Sequence, residues 1–530
     1  MADAPAGGGS DFARIKRRAD RIWAAADQYR NALDQIHEHM SPMRRNADKA
    51  GGAPNMDKIF DGTGMKANFR FAGRVQADLT PPDERFFALE PGPMVRNEAD
   101  RKPLAVQLDD ITRIVDATFS TGTFHTASHE MYADLFSGQG AMLSNPSDGD
   151  DIVQDVAVPA AEIALEADPY NRIAGTVWRK DYCAEYLPEL FPKAKFSDAL
   201  RQKIKAEQDQ KIEVTQYTAR DYKTRRWQHR ALVKGEDKFS ADENSRTTPW
   251  LTPRFFVLPG LPHGFGVGHL ALPFQKTANK SRELALKAAA FALLGLWMQR
   301  DDGVFDPDTA RFAPGAFWKV ASTGGPLGAS VSRLEIPGDF DISSVVLNDE
   351  RDQIKQATFD DTLPPIAGAV RSPTEIIERM RRLDMDWAGV DGRLGLEIVR
   401  AAVARRLDIL EQKKILPTSL TIDQLLVKCS IVSPIARARR TRAAQTNVEA
   451  LTISNSLVGL EITALLADVE GTLMDIMRDV GLPEKRIRSD QDRAVLKTMI
   501  GKIIAAQQSV KNAGPAAAPG SPAQTLPGLP

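Results

Sequence analysis

His125 and His129, four residues apart in HTASHE, are the residues whose spacing best suits metal chemistry. An i, i+4 pair sets both imidazoles on one helix face, as two nitrogen ligands for a zinc ion require. Metalloprotease helices place a glutamate directly after the first histidine; here Thr126 stands there, and no third ligand is suggested nearby. A metal-dependent enzyme around His125 and His129 is therefore the alternative reading, against an ordinary pair of surface or core histidines. His37 and His39 in HEHM point apart on a helix and carry less. The glycine run HGFGVGH, residues 263–269, superficially resembles a phosphate loop but lacks the third glycine and the strand–turn–helix setting, so it reads as a turn. Neither a Walker-type phosphate loop nor a G-x-S-x-G elbow occurs. The expectation is a protein that is not an enzyme, with no catalytic residue, cofactor or metal. The remaining candidates are arginines. Arg437, Arg439, Arg440 and Arg442 in SPIARARRTRAA could contact DNA phosphates without reading sequence. The competing reading is a solvated helix face or ion pairs between subunits. The arginines of ERMRRL, GRL and VARRLD are expected at helix surfaces or between subunits.

The elements that would carry these residues are dominated by one long helix. Ser372 is a fitting N-cap, Pro373 suits the first helical position, and Glu375 can reach back to the Ser372 amide. Apolar residues follow at helical spacing: Ile376, Ile377, Met380, Leu383, then Leu396, Val399, Val403, Leu407 and Leu410. Lys413 and Lys414 complement the dipole at the last turn, and Pro417 stops the helix. A continuous helix here would be about 65 Å long, and Gly389, Gly392 and Gly395 are places where it could kink. The loop before it, TLPPIAGAV, is apolar at Leu363, Ile366 and Ala367 and reads as a mobile connector. Such a helix suits a scaffold spanning an assembly better than the frame of a compact enzyme.

Elsewhere an amphipathic helix opens the chain with Ile15, Ala19, Ile22, Trp23, Tyr29, Leu33 and Ile36, followed by the glycine-rich NADKAGGAPN. A helix follows residue 57, then a strand with Phe86, Phe87 and Leu89, then helix over 108–138. EIALEA, RIAGTVWRK, KIEVTQYTA and HRALVKG read as strands, RFFVL as strand-like, and 196–207 as a charged helix. Helices are expected over 280–299 and 348–359, with a turn-rich piece between them. After Pro417 the chain reads as all-helical, with a stripe of Leu451, Val458, Ile462, Leu465, Val469, Leu473, Ile476 and Val480. The final GPAAAPGSPAQTLPGLP cannot build a core and is expected to be disordered.

The bulk numbers exclude some classes. With 530 residues there is chain enough for several domains or one elaborate subunit. A formal net charge of −1 argues against a surface that embraces nucleic acid everywhere while leaving room for basic patches. Cys183 and Cys429 are too few and too far apart for a disulfide framework or zinc site. The opening MADAPAGGGSD lacks the pattern of a signal peptide, and the apolar run 288–298 is shorter than the ~20 residues of a membrane span.

Taken in order, several landmarks resemble the portal, or head-to-tail connector, proteins of short-tailed bacteriophages. WAAADQYRNALDQI is similar to that family's first wing helix. FDGTGMKANFRFAGRVQADLTPPDERFFAL, residues 60–89, is similar to its Tyr-Asp-Ser-Thr-Ala segment with a following Thr-Pro-Pro and aromatic strand, with Phe60, Gly62 and Gly64 as departures. FHTASHEMYADLFSGQGAML, DDGVFDPDTARFAPGAFW with Pro314 and Gly315, SPIARAR and VGLPEKRIRS fit further landmarks. The most specific match is VRSPTEIIERMRRL, GRLGLEIV, RRLDIL and LP in series. HGFGVGH departs from the family's tyrosine-glycine-arginine turn.

The resemblance implies an α+β, mainly helical portal fold with a long kinked wing helix, assembling into a ring of typically twelve copies at one capsid vertex. It implies a disordered 1–11, a wing over 12–279, a stem helix over 280–299, a clip over 300–347 and a second stem helix over 348–360. A channel loop at 361–371, the long wing helix at 372–417, a helical crown at 418–512 and a disordered tail at 513–530 complete it. Leu363, Pro364, Pro365 and Ile366 would face DNA from the channel loop, and Asp306, Arg311, Phe317 and Trp318 would dock motor and tail from the clip. The implied partners are further copies of itself, double-stranded DNA held non-specifically, terminase, a tail adaptor or tail tube, major capsid and scaffolding proteins, and internal core or ejection proteins, with no membrane. The protein would be made in the host cytoplasm and reside in the virion. Another virion ring, such as a tail adaptor, is disfavoured by the length and the long-helix motif.

Overall fold

The computed structural model describes residues 8–45, 56–95, 97–147, 149, 151–294, 296–299, 331–334, 340–360, 389–390, 392–416, 422–432, 434–458, 469–479, 488, 493–500 and 502. Contacts divide the chain into two units, Met1–Phe87 with Arg113–Thr421, and Ala88–Thr112 with Ile422–Pro530. The architecture is α+β and mainly helical.

In chain order the elements begin with helices α1 (Gly8–Ala25), α2 (Asp27–Met40), α3 (Pro42–Arg45) and α4 (Thr63–Leu79). Strand β1 (Phe87–Pro91), helices α5 (Glu98–Ser120) and α6 (Phe124–Leu135), and strands β2 (Met142–Pro146), β3 (Val153–Ala157), β4 (Ile163–Ala167) and β5 (Ile173–Cys183) follow. Next come α7 (Leu187–Leu190), α8 (Asp198–Ala206), β6 (Lys211–Arg220), β7 (Trp227–Val233), β8 (Ala241–Ser245) and β9 (Trp250–Leu251). Then α9 (Val267–Leu294), β10 (Leu296–Gln299), β11 (Val331–Leu334) and α10 (Phe340–Ala357) make a long excursion and return. A π-helical turn (Gly395–Arg400) leads into α11 (Ala401–Gln412), then β12 (Val427–Ile431), α12 (Pro434–Val458) and α13 (Val469–Asp479).

The first unit is organised on an antiparallel sheet, β4-β5-β6-β7-β8. Its strands alternate as their sequences require. Val177, Tyr217, Ala219 and Leu232 form one cluster with Phe12, Ile15, Ala19 and Ile22 of α1. Ile212, Val214 and Val233 pack instead with Leu187, Phe191 and Leu200 of the α7–α8 region. Trp178 and Trp250 meet edge to face at 5.5 Å over Ile163 and Leu165. Ser197 caps α8 by accepting from the Leu200 amide. A smaller sheet, β3-β2-β9, lies next in the same unit.

Several expectations change here. The opening helix is two helices, because the Ala26 amide bonds to Trp23 O, a tighter i→i−3 turn. RFFVL makes only isolated bridges, Gln139 with Arg254 and Phe256 with Phe265. The helix expected over 280–299 starts earlier, at Val267, and stops at Leu294. Residues 296–299 are instead a strand paired antiparallel with 331–334, Leu296 opposite Leu334 and Gln299 opposite Val331. The return helix begins at Phe340 rather than 348. The long 372–417 helix is described from residue 389, and its glycine-rich part carries a π turn directly at Gly395, where an absent side chain eases the extra residue.

In the second unit, β12 pairs with β1. Residues after 417 are therefore not all helical: Val427, Cys429 and Ile431 alternate and suit a strand. Asp423 Oδ1 accepts from the amides of Leu425, Leu426 and Val427, fixing the entry to this strand. Gly92 donates to Leu426 O at 2.8 Å, so close that a Cβ there would lie 2.0 Å from Leu425 O. Residues 88–112 thus belong with the C-terminal region rather than with the rest of 12–279. Helices α12 and α13 pack together in this unit.

Candidate functional site

The histidine pair falls on α6 as expected, yet the two rings serve separate neighbours. His129 Nδ1 is 2.9 Å from Gln76 Oε1, while His125 packs edge-on against Phe86 and Phe124. Burial depresses the His125 pKa, the wrong environment for a charged group. No group of three or more metal-ligating side chains occurs among the described residues. HGFGVGH is a backbone crossing: a Cβ on Gly264 would lie 2.2 Å from Gly138 O, and one on Gly266 2.2 Å from Phe136 O. Its first residue, His263, stacks on Tyr29 at 4.5 Å and pairs with Gln139. Burial, helped by Arg30 and Arg254, lowers the His263 pKa to about 4.

Arg437, Arg439, Arg440 and Arg442 fall on α12, with their side chains outside the described set. Leu363, Pro364, Pro365 and Ile366, and Asp306, Arg311, Phe317 and Trp318, lie outside the described residues, as does the Ser372 cap.

The feature that the fold does build with polar groups is a clasp around residues 58–64. Two residues of α9, one turn apart, reach into it. Asn279 Oδ1 accepts from the Phe60 and Asp61 amides at 2.6 and 3.1 Å, and its amide donates to Lys58 O. Gln275, fully buried, accepts from the Gly64 amide at 2.9 Å and donates to Asp61 O at 2.7 Å. Gly64 allows this approach, since a Cβ there would lie 2.8 Å from Gln275 Oε1. From α10, Arg351 donates through Nε and Nη2 to Asp61 Oδ2 at 2.8 and 2.6 Å. Burial alone would raise the Asp61 pKa; hydrogen bonds from Thr63 and the Arg351 charge outweigh it and hold the carboxyl below its ordinary value.

The residues just after the return helix are fixed by α4, near the same end as Arg351. Arg70 pairs with Asp360 at 3.0 Å, and Arg74 donates to Phe359 O at 2.9 Å, where a cation also complements the C-terminal dipole. One short segment and the helix it starts therefore hold both long helices. Gln275 and Asn279 escaped the sequence reading; their signal is two amides at i, i+4 on an otherwise core-facing helix stretch.

A second set of buried charges fastens α11. Arg406 is 1% exposed, pairs with Asp155 of β3, and lies over the Phe119 ring at 4.7 Å. Arg405 donates to Ser144 O of β2 at 2.9 Å, and burial lowers its pKa to about 10. Asp408 accepts from the Thr247 amide and hydroxyl. Glu397, on the π turn, takes the Arg254 guanidinium at 2.8 Å and the Arg254 amide at 2.9 Å. The VARRLD arginines are thus internal fasteners, not the surface or inter-subunit groups expected. A chain this apolar-striped can bury them because each meets an opposite charge or carbonyl.

Buried polar groups thus pin the long helices onto a sheet-bearing body. The chain belongs to the bacteriophage head to tail connecting protein family, whose sequence profile matches residues 13–487. That membership makes it a structural component of a phage particle, at the connection of head and tail. A comparison with curated proteins gave no match. Among solved structures the fold is similar to a chain of the "Neck of empty GTA particle computed with C6 symmetry", at 10% identity and a TM-score of 0.36, covering 81% of this chain and 92% of that one. No helix among the described residues is long and apolar enough to cross a membrane.

Proposed function

We propose that this connector is a portal subunit: twelve copies close a ring at one capsid vertex, and double-stranded DNA passes through it during packaging and ejection. The observation that carries the reading is the α9–α10 pair, fixed at its base by Gln275, Asn279 and Arg351. On this reading the pair carries the stem, the clip expected over 300–347 docks terminase and then the tail adaptor, and 361–371 is the channel loop. That loop starts one residue beyond Asp360, so the Arg70 and Arg74 contacts would give it a fixed root. Residues 372–417 complete the wing and residues after 418 the crown. Capsid, scaffolding and internal core or ejection proteins would be met from outside and inside the shell.

Exposed apolar side chains support a ring of identical copies. Leu284 and Leu286 on α9, Val345 and Val346 on α10, and Leu457 and Leu473 in the second unit are open to solvent in one subunit. In a heterologous ring each such face would meet a different face of the next copy. DNA must slide, so tight phosphate binding along the whole channel would be a defect, which suits a chain of net charge −1.

Electron microscopy of the purified protein tests this. Closed rings with a hole wide enough for a DNA duplex, twelve-fold in class averages, are expected. Monomers or dimers at high concentration would overturn the reading.

A further inference from the structure

We propose that one end of the five-stranded sheet is a docking surface for an acidic segment of another protein. The β4–β5 turn, residues 168–172, and the β6–β7 turn, residues 221–226, emerge at the same end because β5 and β6 are antiparallel neighbours with Gly175 opposite Ala219. Each turn pushes one tyrosine into solvent: Tyr170 is 79% exposed and Tyr222 56%. Large aromatic side chains this open on rigid turns are what interface hot spots use.

Both turns are rigid for the same reason. Asp168 accepts from the Tyr170 and Arg172 amides at 2.9 and 2.8 Å and from the Arg172 side chain. Asp221 accepts from the Lys223 amide and the Thr224 hydroxyl, each at 2.9 Å. Arg254 adds a tether, donating to Asn171 O at 3.2 Å. Arg172 is held by Asp168, while Lys223, Arg225 and Arg226 of the second turn are exposed and Arg220 is half-exposed. A locally basic surface on a chain of net charge −1 attracts an acidic partner.

Nucleic acid is the other polyanion to weigh. Stacking of bases needs free ring faces, but Arg172 already lies over Tyr170 at 5.2 Å and Arg220 over Tyr222 at 5.9 Å. The guanidinium and phenol donors suit carboxylates as they suit phosphates, so the covered ring faces are what disfavours single strands. The surface therefore favours glutamate- and aspartate-rich peptide over single strands.

The test uses the full chain with two probes, a fluorescein-labelled oligoglutamate and a fluorescein-labelled oligothymidylate, followed by anisotropy at low and high salt. Oligoglutamate should bind and weaken with salt. The K223E/R225E/R226E variant and the Y170A/Y222A variant should each lose about tenfold or more in affinity. Both variants keep Asp168 and Asp221, and circular dichroism checks their fold. Unchanged oligoglutamate binding in the charge-reversed protein would overturn the proposal. So would tighter binding of oligothymidylate that the same substitutions abolish, which would make this a nucleic-acid surface. Loss of ring assembly in either variant would overturn it as well, by assigning the patch to contacts between copies. Intact rings with weakened oligoglutamate binding separate this surface from the portal reading.

Discussion

Replacing Arg351 with methionine should loosen the clasp without unfolding the body. The substitution keeps most of the apolar stem of the side chain and removes the cation facing Asp61. That carboxylate is 1% exposed and would keep only the local bonds from Thr63. A fully buried pair broken on one side costs about 3–5 kcal/mol. Arg351 is itself 33% exposed, so water screens part of the loss, and a surface pair is worth under about 1 kcal/mol. An intermediate value of about 2 kcal/mol follows. At ~1.4 kcal/mol per factor of ten this is roughly a 30-fold rise in local opening. Amide hydrogen exchange read by mass spectrometry should show it in peptides spanning 57–66, where the Phe60, Asp61 and Gly64 amides are held by Asn279 and Gln275. The effect has a pH signature. The folded Asp61 pKa lies below its ordinary value of 3.8, so the stabilisation is full above that value and is lost as pH falls through the folded pKa. At low enough pH, R351M and wild type should therefore exchange alike. Equal exchange of residues 57–66 in the two proteins at neutral pH would refute the claim that Asp61–Arg351 holds α10 to this segment.

Four further outcomes are expected. Arg406→Ala strands the Asp155 carboxylate, 1% exposed, and should cost about 3–5 kcal/mol by denaturant titration, with R406M/D155L recovering much of it. Gly264→Ala places a Cβ 2.2 Å from the Gly138 carbonyl and should cost upward of about 3 kcal/mol, whereas Gly73→Ala, with nothing within 4 Å, should stabilise α4 by about 0.5–1 kcal/mol; melting temperatures separate the two. Burial lowers His229, His263 and His269 from 6.5 to about 4. The unfolded chain then takes up protons first, so stability should be full above about pH 6.5 and erode down to about pH 4, by up to ~3 kcal/mol per histidine; a flat melting profile over that range would contradict it. Deleting residues 362–368 should leave rings intact and impair DNA retention or passage; normal packaging and retention would remove the channel-loop assignment.

What the sequence made legible was whatever obeys a local period. The strands EIALEA through HRALVKG alternate, the opening helices show three-and-four spacing, and both appear in the fold. Ala26 shows the limit: the buried stripe continues through it, from Ile22 to Tyr29, so burial spacing alone does not reveal that the helix stops and restarts. Strand β12 was missed because a five-residue alternation between helices gives little local signal, and its partner lies 340 residues away, with Ser430 bonding Glu90. The charges failed for a related reason. VARRLD looks like a solvated helix face because composition reports that a guanidinium is present and says nothing of what it meets. Arg406 meets Asp155 across 251 positions, Arg351 meets Asp61 across 290, and Arg254 meets Glu397 across 143. Each pair forms only in the folded geometry, where close contact offsets part of the desolvation cost of the two ions. A register slip of α10 or α11 would leave buried ions unpaired, a far larger penalty than shifting one apolar residue against another. The same long separations that hide these pairs from a sequence reading make them good at fixing one arrangement of helices. A subunit that must repeat its shape around a closed ring needs that fixity more than it needs added stability.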